Sequence, residues 1–261
     1  MQTLSTEYLQ TKAPAIFAES SANMSTKYQQ IPTFKILEAL KTEGFNAVKV
    51  QQQRKLDPAR MSFAKHLIRL RHDRDLITDK THVPEVVLMN SHDGASAYRM
   101  ILGVFRVVCS NGLVVASSTM ASINVRHTGQ ASQIDSLITG AHTLIDKSRL
   151  VLDKIEDWRS KVLNEDQKRE YFKGAFDIYR EGREDLKAYD TYQLGQAYRR
   201  ADVADDLWTV FNKTQENLIR GNFYINGAGS RYRRARRITS IDKDTKLNQA
   251  LWQYTNDFKL N

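Results

Sequence analysis

The apolar residues of this chain change period once, near residue 130, and that change limits the architectures open to it. Upstream they alternate. Phe45 to Arg54, Ser62 to Arg71, Val83 to Asn90, Ser96 to Cys109 and Leu113 to Ser117 read as strands, separated by the turn-rich stretches DPAR, DRDLITDK, SHDG and SNG. Such short connections suit antiparallel pairing, because a parallel pair needs a crossover of a dozen residues or more. Downstream the spacing becomes helical. Ile134, Leu137, Ile138, Leu144, Ile145, Leu152, Ile155 and Trp158 form one stripe, predicting a long amphipathic helix from about Ser132 to Val162. Asn164 and Gln167 have capping-box spacing before a helix with Tyr171, Phe172, Ala175, Phe176 and Tyr179 inward. Further helices are expected from Asp202 to Arg220, with Val203 and Leu207 in period and Gly221 as stop, and around Leu247, Leu251, Tyr254 and Phe258. The expected fold class is α+β: an antiparallel sheet in the N-terminal half followed by a helical C-terminal half.

Before the strands, residues 1–30 read as a polar N-terminal arm, loose or packed as an extension. Pro32-Thr33 then opens a short helix through Phe34, Ile36, Leu37 and Leu40 that Gly44 can end. The expected divisions are 1–30, a strand-rich basic region 31–129, and a helical region 130–261 containing an arginine-rich loop at 226–237, the last two forming one compact unit.

Charge follows these divisions. The net charge is +9, yet residues 130–215, with 14 basic and 16 acidic side chains, carry net −2. Residues 1–129 have 16 basic and 10 acidic side chains, net +6, and residues 216–261 have 9 and 4, net +5. A basic excess favours polyanionic partners without naming one. With 41% hydrophobic residues, 10 Phe, 11 Tyr and 3 Trp, the chain has ample material for a core, which excludes wholesale disorder. One cysteine excludes an internal disulfide and a cysteine-built zinc site. No apolar run reaches membrane-spanning length and no leader pattern opens the chain, so a cytoplasmic address and no membrane partner are expected.

The sharpest chemical feature is NGAGSRYRRARR, where Arg231, Arg233, Arg234, Arg236 and Arg237 surround Tyr232, with Tyr224 just upstream. Guanidinium groups fork onto phosphates and aromatic rings stack on bases, the combination that single-strand binding uses. The same run also suits a solvated basic loop, or arginines paired with the acidic helices. Basic residues recur on the strands as Lys49, Arg54, Lys55, Lys65, Arg69, Arg71, Arg99 and Arg106. Alternation puts Lys65, Leu67, Arg69 and Arg71 on one strand face, which is expected to be cationic and to extend the same nucleic-acid surface.

Enzymatic constellations are thin. Cys109 ends an apolar strand, where a thiol is more often a small buried hydrophobe than a nucleophile. Ser91-His92-Asp93-Gly94 and Cys109-Ser110-Asn111-Gly112 have the chemistry of turns. No nucleotide-binding glycine loop or HExxH pair occurs, and the carboxylate pairs Asp205-Asp206 and Glu156-Asp157 lack companion ligands. No catalytic residue, cofactor or metal is therefore assigned, and a cysteine-dependent enzyme is an outlier.

The segment MNSHDGASAYRMILGVFRVVCSNGLVV resembles the signature of the phage- and plasmid-like proteins grouped as domain-of-unknown-function family 932. Tyr28-Gln-Gln-Ile-Pro-Thr33, Gly44-Phe45, Arg126-His127, Asn217-Leu-Ile-Arg-Gly221 and the Leu247 to Trp252 tail resemble its pattern as well. The resemblance implies a setting on phages, plasmids or integrative elements, near genes for DNA processing or defence evasion. It implies no activity. The combined expectation is a nucleic-acid-binding protein favouring single-stranded DNA, in recombination or strand annealing, forming homo-oligomers with the long helix as a subunit contact. The alternative is a counter-defence or other interaction factor that binds a host or phage protein and no DNA.

Overall fold

In a computed structural model, described over residues 3–18, 32–53, 61, 63–75, 82–92, 98–106, 122–125, 130–227 and 231–259, the chain forms two compact units, Met1–Arg149 and Leu150–Asn261. The division falls after the first long helix, so that helix groups with the sheet and not with the helical half. The α+β class holds.

In the first unit five antiparallel strands follow in chain order: β1 (Phe45–Gln52), β2 (His66–His72), β3 (His82–Asn90), β4 (Tyr98–Arg106) and β5 (Ser122–Val125). Register puts Ile68 opposite Leu88 and Leu70 opposite Val86, with Leu102 and Met100 next across on β4. This apolar face is covered by α2 (Thr33–Thr42) and α3 (Gln130–Asp146): Phe45 meets His142 of α3 at 5.1 Å, and Gly140 is the residue that lets α3 lie against Ile123. Before α2 comes α1 (Thr6–Lys12), so the N-terminal arm is packed. The Leu4 amide donates to the Ala47 carbonyl at 2.8 Å, and Ala13, Ala15 and Ile16 are fully buried. The hairpin expected across Cys109-Ser110-Asn111-Gly112 lies outside the described residues, as do Leu113 to Ser117 and Gly94; β4 pairs on its far side with β5, a short strand that no alternation announced.

The long helix predicted from Ser132 to Val162 is two helices, α3 and α4 (Ser148–Arg159). Only Lys147 separates them, and its amide still bonds the Thr143 carbonyl at 3.2 Å, so the apolar stripe runs on across a break that periodicity cannot register.

The second unit adds α5 (Glu165–Tyr179), α6 (Leu207–Arg220) and α7 (Ile241–Asp257), plus a small antiparallel sheet of β6 (Lys187–Ala188), β7 (Tyr224–Asn226) and β8 (Arg233–Arg234). The Asn164/Gln167 capping box forms as the sequence predicts. Helix α6 starts later than expected: Asp206 caps it, and Val203, counted into its apolar stripe, is exposed. The core centres on Trp158, which lies 4.4 Å from Trp252 and 6.2 Å from Trp208, with Phe211 closing the cluster.

Candidate nucleic-acid interface

Two parts of the sequence were expected to share one basic surface. The strand face is not one. Arg69 and Arg71 are buried and converge on the fully buried Glu85: Arg69 Nε lies 2.5 Å from Glu85 Oε2, and Arg71 Nη2 lies 2.6 Å from Oε1. The Arg69 guanidinium also lies 3.3 Å from the centre of the Phe105 ring. Both arginines are thus spent inside the protein. Alternation alone could not show this, because the neutralising carboxylate sits on the next strand. Lys49, Lys65 and Arg99 are half-buried with partners of their own. Arg54 and Lys55 lie outside the described residues, as does the side chain of Arg106, and so does Cys109.

The arginine run is different. Arg231, Tyr232, Arg233, Arg234, Arg236 and Arg237 are all exposed, and Ala235 among them is buried. What the sequence suggested as a loop is in part the strand β8, held from beneath. Asn217 on α6 is the anchor: fully buried, it donates its side-chain amide to the carbonyls of Leu194 at 2.9 Å and Gln196 at 3.0 Å, while its own carbonyl accepts from the Asn222 amide at 3.0 Å. Gly221 ends α6 at φ +68°, and a β-carbon there would run into the Ala235 carbonyl. Ala235 in turn donates to the Phe223 carbonyl at 2.8 Å. Arg234 ties back as well, Nε to the Gly221 carbonyl at 3.1 Å and Nη2 to Asn222 Oδ1 at 2.5 Å. The Asn217-Leu-Ile-Arg-Gly221 stretch therefore acts as the mount of the arginine strand.

Beyond β8 the chain turns into an open groove of about 600 Å³ between the end of α5 and the start of α7. Five cations line it: Arg183, Arg236, Arg237, Lys243 and Lys246. The one carboxylate in the lining, Glu181, is engaged by Lys246 at 2.9 Å. Arg236, Arg237 and Lys243 form no ion pair with any described carboxylate. Arg183 is positioned by its bond to the Tyr179 carbonyl at 2.6 Å and lies over the Tyr179 ring at 4.8 Å. Sequence reasoning found Arg236 and Arg237 and missed Arg183, Lys243 and Lys246, because the three come from separate elements and form no run. Chemically the groove can hold anionic oxygens. Among the described residues no group of His, Cys, Asp and Glu is placed to hold a metal ion, and no helix is long and apolar enough to cross a membrane.

This chain belongs to the family described as "Domain of unknown function (DUF932)", which matches residues 22–252. Two Escherichia coli (strain K12) proteins, UPF0380 protein YfjQ and UPF0380 protein YafZ, are each 37% identical to it over 250 residues, covering 95% of this chain and 89% of each relative. No solved structure matches it.

Proposed function

We propose that this protein binds nucleic acid, single-stranded DNA above all, along the arginine strand and groove of the second unit, and acts in recombination or strand annealing on a phage, plasmid or integrative element. The observation that carries the reading is the lining of the groove, where four cations remain once Lys246 is set against Glu181. Phosphates contacted by Lys and Arg displace condensed counterions, so such a surface binds polyanions without needing a nucleotide pocket. Strand annealing breaks no covalent bond. It asks for a surface that holds phosphates while leaving base edges accessible. Homo-oligomers spaced along a strand would suit that role.

The test is fluorescence anisotropy of labelled single-stranded and duplex oligonucleotides across a salt series, using the full-length protein. The reading expects tighter binding to the single strand and an affinity that falls linearly on a log–log salt plot. Absence of binding to any oligonucleotide at low salt would turn attention to a host or phage protein as the partner.

A further inference from the structure

Three tyrosines of the second unit are exposed together. Among the described residues eight large hydrophobic side chains remain exposed, and three of them, Tyr189 at 66%, Tyr224 at 49% and Tyr232 at 45%, belong to or directly flank the small sheet β6–β7–β8. Their grouping follows from the register. Ala188 pairs with Ile225, so Tyr189 stands opposite Tyr224, and its amide donates to the Tyr224 carbonyl at 2.8 Å. Tyr224 faces Arg234 across β7 and β8. Tyr232, two residues before Arg234, meets the Tyr189 ring edge-on at 5.1 Å and 83°. Ile225, between these rows, is buried and gives the opposite side of the sheet to the core.

We infer that this tyrosine face is a base-stacking platform for single-stranded DNA, a proposal that rests on the nucleic-acid reading above and adds unpaired bases to the ligand. Isolated exposed tyrosines are unremarkable, but a cluster on a braced backbone is pre-ordered for contact and loses little entropy on binding. The rings here are braced by Asn217, by Gly221 against Ala235, and by the Gln193 side chain, which accepts from the Tyr224 amide at 2.9 Å. An edge-on pair leaves ring faces available, and every base offers a flat partner for them. Charge complementarity selects the occupant. Arg234, opposite Tyr224, stands on the tyrosine side of the sheet, and Arg236 and Arg237 lead directly into the groove, whereas the nearest acids on the chain, Asp185 and Asp190, lie on the β6 side, where the Asp190 side chain is already accepting from the Tyr192 amide at 2.9 Å. A duplex buries its base faces, so the platform discriminates in favour of the single strand.

The experiment compares, by anisotropy with full-length protein, an oligothymidylate, an oligomer of equal length made of abasic sites, and a duplex. The two single strands present the same phosphates and differ only in bases. The oligothymidylate should bind at least about tenfold tighter than the abasic strand, and Tyr189→Ala/Tyr232→Ala should remove roughly 5- to 150-fold from the oligothymidylate alone, with Tyr189→Phe/Tyr232→Phe retaining it. Both positions are exposed, so the variants should keep wild-type circular dichroism. Equal affinity for thymidylate and abasic strands would overturn the platform while leaving the basic groove standing. Failure of all three ligands to bind would overturn the nucleic-acid reading itself. Tighter binding of an oligouridylate than of the oligothymidylate would overturn DNA as the occupant.

Discussion

Thr33 Oγ1 lies 3.0 Å from His66 Nε2, joining the first turn of α2 to the start of β2 inside the first unit. His66 Nδ1 faces the Ala64 carbonyl at 3.1 Å, so the ring carries its proton there and accepts from the Thr33 hydroxyl. Thr33 in turn accepts from the Asn90 side chain at 3.0 Å and contacts His92 Nε2 at 3.3 Å. His92 was read from sequence as part of a turn; it is fully buried in this network.

Burial pushes the His66 imidazole down to about 4 from its ordinary value of 6.5. A depressed histidine makes the unfolded chain the better proton binder between those two values, so stability should fall as pH drops from 6.5 toward 4. At about 1.4 kcal/mol per pH unit this reaches about 3 kcal/mol. Urea unfolding followed by far-ultraviolet circular dichroism should show it, and His66→Gln should flatten that part of the pH profile. A profile unchanged by His66→Gln would rule out His66 as the titrating group.

Glu85 is the carboxylate shared by two buried guanidiniums, and removing it takes that charge partner from both. Glu85→Ala should cost about 3–5 kcal/mol, lowering the melting temperature by roughly 10 °C. A loss under about 1 kcal/mol would mean that water or another group takes over the carboxylate's part.

Gly221 and Gly182 separate two costs of a β-carbon. Gly182 has φ +72° with open space around it, whereas Gly221 has φ +68° and the Ala235 carbonyl in the way. Gly182→Ala should cost about 1 kcal/mol, from backbone strain alone. Gly221→Ala should cost clearly more in a thermal melt, and should also weaken oligonucleotide binding by displacing β8. Equal melting temperatures would show that the chain around Ala235 shifts at little cost.

In the groove, Arg236→Glu/Arg237→Glu/Lys243→Glu should weaken oligonucleotide binding far more than Lys154→Glu/Arg159→Glu/Lys161→Glu. The helical triple is already paired, Lys161 with Asp157 at 2.8 Å and Arg159 with Glu156 at 3.4 Å. The groove triple should also flatten the log–log salt slope by about 2, at ~0.7 per lost single-strand phosphate contact. Anisotropy titrations at several salt concentrations check this; equal losses from both triples would indicate charge without a site.

Local signals carried well from sequence to structure. The Asn164/Gln167 capping box and the stop at Gly221 need only a few neighbouring residues, so their chemistry is complete in the sequence. What failed depended on neighbours in space. Arg69 and Arg71 read as a surface because Glu85 reaches them only through strand register, and the burial of His92 against Thr33 could not be seen because the two are 59 residues apart. Of the candidate interface, the arginine run was legible. Tyr189 was not, because a two-residue strand such as β6 has no alternation to see, and Lys243 and Lys246 looked like ordinary polar positions of α7.

The tryptophan cluster gives the two units separate optical signatures. All 3 tryptophans of the chain, Trp158, Trp208 and Trp252, lie in the second unit, within one another's range for energy transfer. Tryptophan emission therefore reports the unit that carries the arginine strand and is blind to the five-stranded sheet, whose loss registers in circular dichroism. Circular dichroism also registers the helices of the second unit, so a substitution that moves the circular dichroism curve and leaves tryptophan emission unchanged has its cost in the first unit, and a gap between the two midpoints shows that the units differ in stability.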